Sequence, residues 1–125
     1  DDLELFLQRV EAYRLRDQSI ESLRQLESSI EQNNNPNVIP PDIYQYFSEA
    51  RFGFEQALRI VDDCAGCHEH LQKTLEIMID LHLNLNDLNS AQSLLISLPK
   101  KNPTLEEKAA KVEKYLEKRV EKEVK

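Results

Sequence analysis

The sequence predicts an all-α domain, and three observations carry that expectation. Apolar residues recur at intervals of three and four through most of the chain, which lays a stripe along a helix. Glycine occurs only at Gly53 and Gly66, too seldom for a turn-rich β fold or a glycine-cradled phosphate site. The stretches between periodic segments hold helix-stopping residues, as at Asn33-Asn34-Asn35-Pro36-Asn37 and Asn86-Asp87. With 125 residues, 40% of them hydrophobic, the chain suits one domain with a core, 1–125.

Leu3, Phe6, Val10 and Tyr13 form the first stripe, and Ile20, Leu23, Leu26 and Ile30 the second. Pro40-Pro41 open the next helix, because a first-turn residue has no intrahelical use for its N–H. Tyr44, Phe47, Phe54, Leu58 and Val61 continue its apolar face. Leu71, Leu75, Met78, His82 and Leu85 make another. At Asn86-Asp87, asparagine suits the left-handed cap of one helix and aspartate the N-cap of the next. Leu88, Ala91, Leu95 and Leu98 lie on a short helix that Pro99 ends. Thr104-Leu105-Glu106-Glu107 reads as a capping box, followed by Leu105, Ala109, Val112, Leu116 and Val120 on one side. Glu107 and Lys111 pair at i,i+4.

Apolar positions also repeat at a shift of 34. Phe54, Ala57, Val61 and Cys64 match Leu88, Ala91, Leu95 and Leu98, and a second shift reaches Ile20, Leu23, Glu27 and Ile30. Val10 and Tyr13, Tyr44 and Phe47, and Met78 and Leu81 agree in the preceding helices. Together with Asn86-Asp87-Leu88-Asn89-Ser90-Ala91, this resembles the tetratricopeptide repeat family, whose helix pairs bury their apolar faces only by stacking. The resemblance implies repeats at 4–37, 38–71 and 72–105 and a capping helix at 104–124. It implies seven helices, with breaks near 16–19, 51–54, 67–71 and Asn86. Where that family prefers a small residue in each first helix, this chain has Glu11, Gln45 and Ile79, so wider-set pairs are expected. The alternative is a bundle of longer helices, 2–32 and 42–85.

The same resemblance implies a concave groove for a peptide or helix of a partner protein. By position, its lining is Gln8, Arg9, Ala12 and Arg16; Asp42, Ile43, Tyr46 and Glu49; Lys73, Glu76, Ile77 and Asp80. Only Lys73 falls on a position of the family's carboxylate clamp; Gln8, Ala12, Ile43 and Ile77 occupy the others. Leu5, Leu15, Ile43, Tyr46, Ile77 and Leu83 are expected as an exposed apolar lining with Tyr46 as anchor.

Charge is unevenly placed. Residues 100–125 hold nine Lys/Arg against six Glu, and residues 1–99 hold seven against 17 Asp/Glu. An acidic body repels phosphates and anionic lipid, so neither nucleic acid nor membrane is an expected partner. A ligand with basic residues flanking an apolar helix or strand is expected instead. No apolar run reaches the roughly 18 residues of a membrane span. Asp1-Asp2-Leu3-Glu4 does not read as a signal peptide, and a cytoplasmic or nuclear location is expected.

Cys64-Ala65-Gly66-Cys67-His68 has the spacing of c-type haem attachment, with Met78 or His82 as second axial candidates. That alternative makes the chain an electron carrier in an oxidising compartment. Zinc needs a fourth ligand beside Cys64, Cys67 and His68 or His70. The favoured reading places Cys64 in the core as a free thiol, with no cofactor and no metal. No nucleotide loop, metalloprotease motif or nucleophile elbow occurs, and Asp62-Asp63 reads as a polar turn. The expected function is a non-catalytic scaffold or adaptor module, with a self-associating helical bundle as a further alternative.

Overall fold

The computed structural model describes the backbone of residues 1–124 and the side chains of residues 1–122; Lys125 of the expected 1–125 domain lies outside the described residues. Those residues form five α-helices and no strand: α1 (Asp2–Gln32), α2 (Pro41–Ile60), α3 (Cys67–Asn84), α4 (Leu88–Ile96) and α5 (Pro103–Val124). The chain divides into two compact units, Asp1–Thr74 and Leu75–Lys125.

In the first unit, α1 and α2 pack as an antiparallel pair. Asn33 closes α1, and its side-chain carbonyl accepts the Asn35 N–H while its amide donates to the Val38 carbonyl. Asn37 repeats the pattern on Asn35. These local bonds satisfy a connection that no longer has helical partners. Pro41 occupies the first turn of α2 as expected. Small residues sit along the contact: Ala12 and Ser19 on α1, Ala50, Gly53 and Ala57 on α2 are all buried. A Cβ built on Gly53 would lie 1.7 Å from Ser19 Oγ and 3.1 Å from Ser19 Cβ. Glycine is therefore present at 53 for close approach of two helices, not for a bend.

That explains why two expected breaks are missing. α1 runs unbroken through Asp17 and α2 through Gly53, as in the longer-helix alternative, and five helices replace the expected seven. Asp17 is exposed on α1, where a charged side chain costs nothing, and no glycine or proline lies nearby to stop the helix. The third break falls at Val61–Gly66 rather than 67–71. The longer-helix alternative is likewise corrected there, since helix does not continue from 42 to 85.

In the second unit, Leu75, Met78, Ile79, His82 and Leu83 of α3 are buried with Ala91 of α4 and Leu105, Ala109 and Val112 of α5. Asn86 takes φ 59°, the left-handed cap expected from its amide. The Asp87 carboxylate accepts the Ser90 N–H at 3.2 Å and starts α4. The cap of α5 lies two residues before the expected one at Thr104: Asn102 Oδ1 accepts the Leu105 N–H at 3.1 Å, and Pro103 supplies the first turn. Proline at that place needs no N–H partner, so the cap moves upstream of Thr104. The Glu107–Lys111 pair forms at 3.7 Å.

Hydrogen bonds from Ser90, its side chain first, hold the Asp87 carboxyl below its ordinary range, and His82 adds to this. A carboxyl with a depressed folded pKa adds stability above its unfolded pKa and loses it as pH falls through the folded value. We expect Asp87→Ala to cost about 1 kcal/mol at neutral pH, and the difference from the parent to shrink as pH falls below about 4 and through the lowered folded pKa. Urea melts across that pH range check it.

Candidate functional site

The surface of α1 departs most from expectation. Leu3, Phe6 and Val10, expected as core, are 64, 62 and 48% exposed, and Leu7 beside them is 54% exposed. Each residue advances an α-helix by about 100°. Leu3, Phe6, Leu7 and Val10 therefore share one side, opposite Ala12, Ser19, Leu23 and Leu26, which face the core. Farther along the outward side stand Arg14, Asp17, Glu21 and Arg24, an ordinary solvated surface. The apolar face thus spans only the first three turns, and Leu5 on the other side of those turns is 59% exposed as well. The sequence signal was present; what periodicity lacks is any indication of what covers a stripe.

Arg9 and Arg14 stand beside this face and are both held within the chain. Arg9 Nη1 lies 3.5 Å from Asp63 Oδ1. Hydrogen bonding with Tyr13, and then the Asp63 carboxylate, raise its guanidinium above the ordinary value. Arg14 donates twice to the Glu11 carboxylate, which lowers the Glu11 carboxyl. Gln8 and Arg9 also line a cleft of about 340 Å³ with Leu5, Arg59, Asp62 and Asp63. Its two guanidiniums and two carboxylates leave little net charge there.

The remaining expected groove residues are dispersed. Arg16 Nη1 donates to the Ala65 carbonyl at 3.2 Å, and its guanidinium lies 4.5 Å from the Tyr13 ring centroid. Asp42 is exposed and Tyr46 half-buried. Glu49 accepts from Ser22 and Gln45. Lys73 pairs with Glu27 at 3.4 Å. Ala12, Ile43 and Leu83 are withdrawn from the exposed lining: they are 0, 0 and 1% exposed. Ala12 and Ile43 belong to the buried faces of α1 and α2, where their size suits packing. In the second unit Ile77 is half-buried, Glu76 Oε2 accepts from Asn102, and Asp80 accepts from Lys108.

The cysteine motif forms the turn between α2 and α3. Gly66 takes φ 78°, and Cys67 begins α3. Cys64 and Cys67 have Cα atoms 5.6 Å apart and are joined as a disulfide, so the expected free thiols are corrected: no free cysteine remains. On a helix end such a pair would strain the backbone. The turn with its left-handed glycine instead brings the two Cα atoms within the ordinary bridging distance. Cys64 is buried as expected, and Cys67 with it, among Ala12, Ala57 and Val61. His68 is exposed with Nε2 3.3 Å from the Asp62 carbonyl, while His70 stacks on Phe54 at 5.6 Å between centroids. Among the described residues no group of three or more His, Cys, Asp or Glu is arranged to hold a metal. We expect reduction and alkylation under denaturing conditions to label both cysteines, and no label without reductant. Intact mass spectrometry reads this.

No described helix is long and apolar enough to cross a membrane. Comparison with protein-family models, with curated proteins and with solved structures gives no match.

Proposed function

We propose that this chain is a non-catalytic scaffold or adaptor module that binds a partner protein through the outward face of the first three turns of α1. The observation that carries this reading is the run of exposed apolar side chains at Leu3, Phe6, Leu7 and Val10. Apolar residues scattered singly over a surface have no meaning, but a contiguous patch marks an interaction site. Gln8, Arg9 and Arg16 of the expected partner-binding set lie on the same helix but off this face, Arg9 and Arg16 being turned toward Asp63 and the Ala65 carbonyl. Tyr46 and Ile77 remain half-buried and fit an anchoring role less well than Phe6.

The turn at Asn86-Asp87 joins α3 to α4, a helix–turn–helix common to many all-α folds that does not identify a tetratricopeptide repeat. The continuity of α1 and α2 favours longer helices over two further hairpins of that family. The adaptor reading does not depend on the repeat, because the face belongs to one helix.

Affinity capture from extracts of the source cells, with parent and Phe6→Ser/Val10→Ser chains as baits, tests the reading. Both side chains lie outside the core, so the variant should keep its helical circular dichroism and melt within about 0.5 kcal/mol of the parent. The expected result is one or more proteins enriched by the parent and lost by the variant. Identical captured sets would overturn it.

A further inference from the structure

We infer that the outward face of α1 takes an amphipathic helix of another protein, one whose apolar stripe is flanked by Lys or Arg. This rests on the adaptor reading and names its partner by chemistry. The face is apolar for about three turns, the length over which one helix meets another across a crossing. Leu3, Phe6, Leu7 and Val10 present side chains at i, i+3, i+4 and i+7, the spacing at which a helix offers anchors to a second helix.

Charge chooses between a second copy and a basic partner. The unit Asp1–Thr74 contains 14 Asp/Glu and seven Lys/Arg, a net −7 equal to the charge of the whole chain. Arg9 and Arg14 beside the stripe are already engaged by Asp63 and Glu11. Asp2 stands exposed at its N-terminal end, and Glu4 beside it, also exposed, pairs with the N-terminal ammonium at 3.6 Å. Two such units brought face to face repel, whereas a helix with basic flanks is drawn in and oriented. Anionic lipid is disfavoured by the same charge.

The test uses the whole chain and two fluorescein-labelled synthetic helices of roughly 18 residues, about five turns. One has leucine on one face and lysine on the flanks; the other has glutamate in place of lysine. Anisotropy is read at about 0.15 M salt, where distant surface charges are screened. The expected result is binding of the lysine helix, at least about tenfold weaker binding of the glutamate helix, and a loss of about tenfold in Phe6→Ser/Val10→Ser. A second variant, Asp2→Asn/Glu4→Gln, leaves the apolar stripe intact and should weaken the lysine helix while strengthening the glutamate helix. Phe52→Ser removes an apolar side chain elsewhere on the same unit, 63% exposed, and should change nothing. Equal binding by parent and Phe6→Ser/Val10→Ser, or equal binding of the two helices, overturns the inference. So does a parent dimer in sedimentation that the same variant dissolves, which assigns the face to a second copy, or parent binding to phosphatidylcholine vesicles, which assigns it to lipid. Either of these leaves the capture experiment to decide the adaptor reading separately.

Discussion

Phe54→Ala is expected to cost about 3–5 kcal/mol of stability, the usual range for emptying a buried phenylalanine site. Phe54 is fully buried and its ring stacks on His70 with 12° between planes. Truncation removes the apolar burial, leaves a cavity that helices packed at native density fill only partly, and strips one face of the imidazole. Two residues away, Phe52→Ala should cost within about 0.5 kcal/mol, as an exposed substitution does. Chemical denaturation of the two variants in parallel reads the contrast. Equal effects would mean that α2 is rotated about its axis from the described position.

Gly53→Leu should destabilise by about 3 kcal/mol, at the upper end of overpacking in a well-packed contact. The added side chain begins at the Cβ position 1.7 Å from Ser19 Oγ and 3.5 Å from the Leu15 carbonyl. The leucine therefore meets α1 directly, and its better helix propensity, about 1 kcal/mol, does not offset that. Gly53→Ala is the instructive companion. Ser19 Oγ can turn to another rotamer, so the propensity gain and the remaining contact should nearly cancel. Gly53→Leu/Ser19→Gly should recover part of the loss, because it removes the atoms that the leucine strikes.

How much of this was legible in the sequence differs by element. The five segments that became helices were visible as periodic stretches, and Asn86-Asp87 was read correctly because its two roles are chemical: a left-handed cap and an acceptor for backbone N–H. The breaks at Asp17 and Gly53 were misplaced because a repeat of apolar positions at 34 was read as a repeat of helix pairs. Helical spacing by itself returns matches at many shifts. Gly53 was ambiguous from sequence, since glycine serves both bends and close helix approach, and only the position of Ser19 decides between them.

The candidate site was legible in part for a related reason. Leu3, Phe6 and Val10 gave as clear a stripe as Leu71, Leu75 and Met78, yet one is exposed and the other buried. Spacing reports that a face is apolar, and the neighbouring element decides whether it is covered within the chain. Ile43 was assigned to the surface by analogy of position, but the turn of α2 that follows Pro41 points it inward. The Cys64–Cys67 pairing depended on Gly66 making a turn rather than lying on a helix, which a spacing of three residues does not distinguish.

Photo-crosslinking in the source cells tests the central claim most directly. Benzoylphenylalanine placed at Leu7, in the middle of the apolar face, should give a discrete higher-mass adduct with another protein on irradiation. The same group at Arg24, on the charged continuation of that side of α1, should give none. Adducts at neither position, or equal adducts at both, would contradict an adaptor that binds through the first three turns of α1.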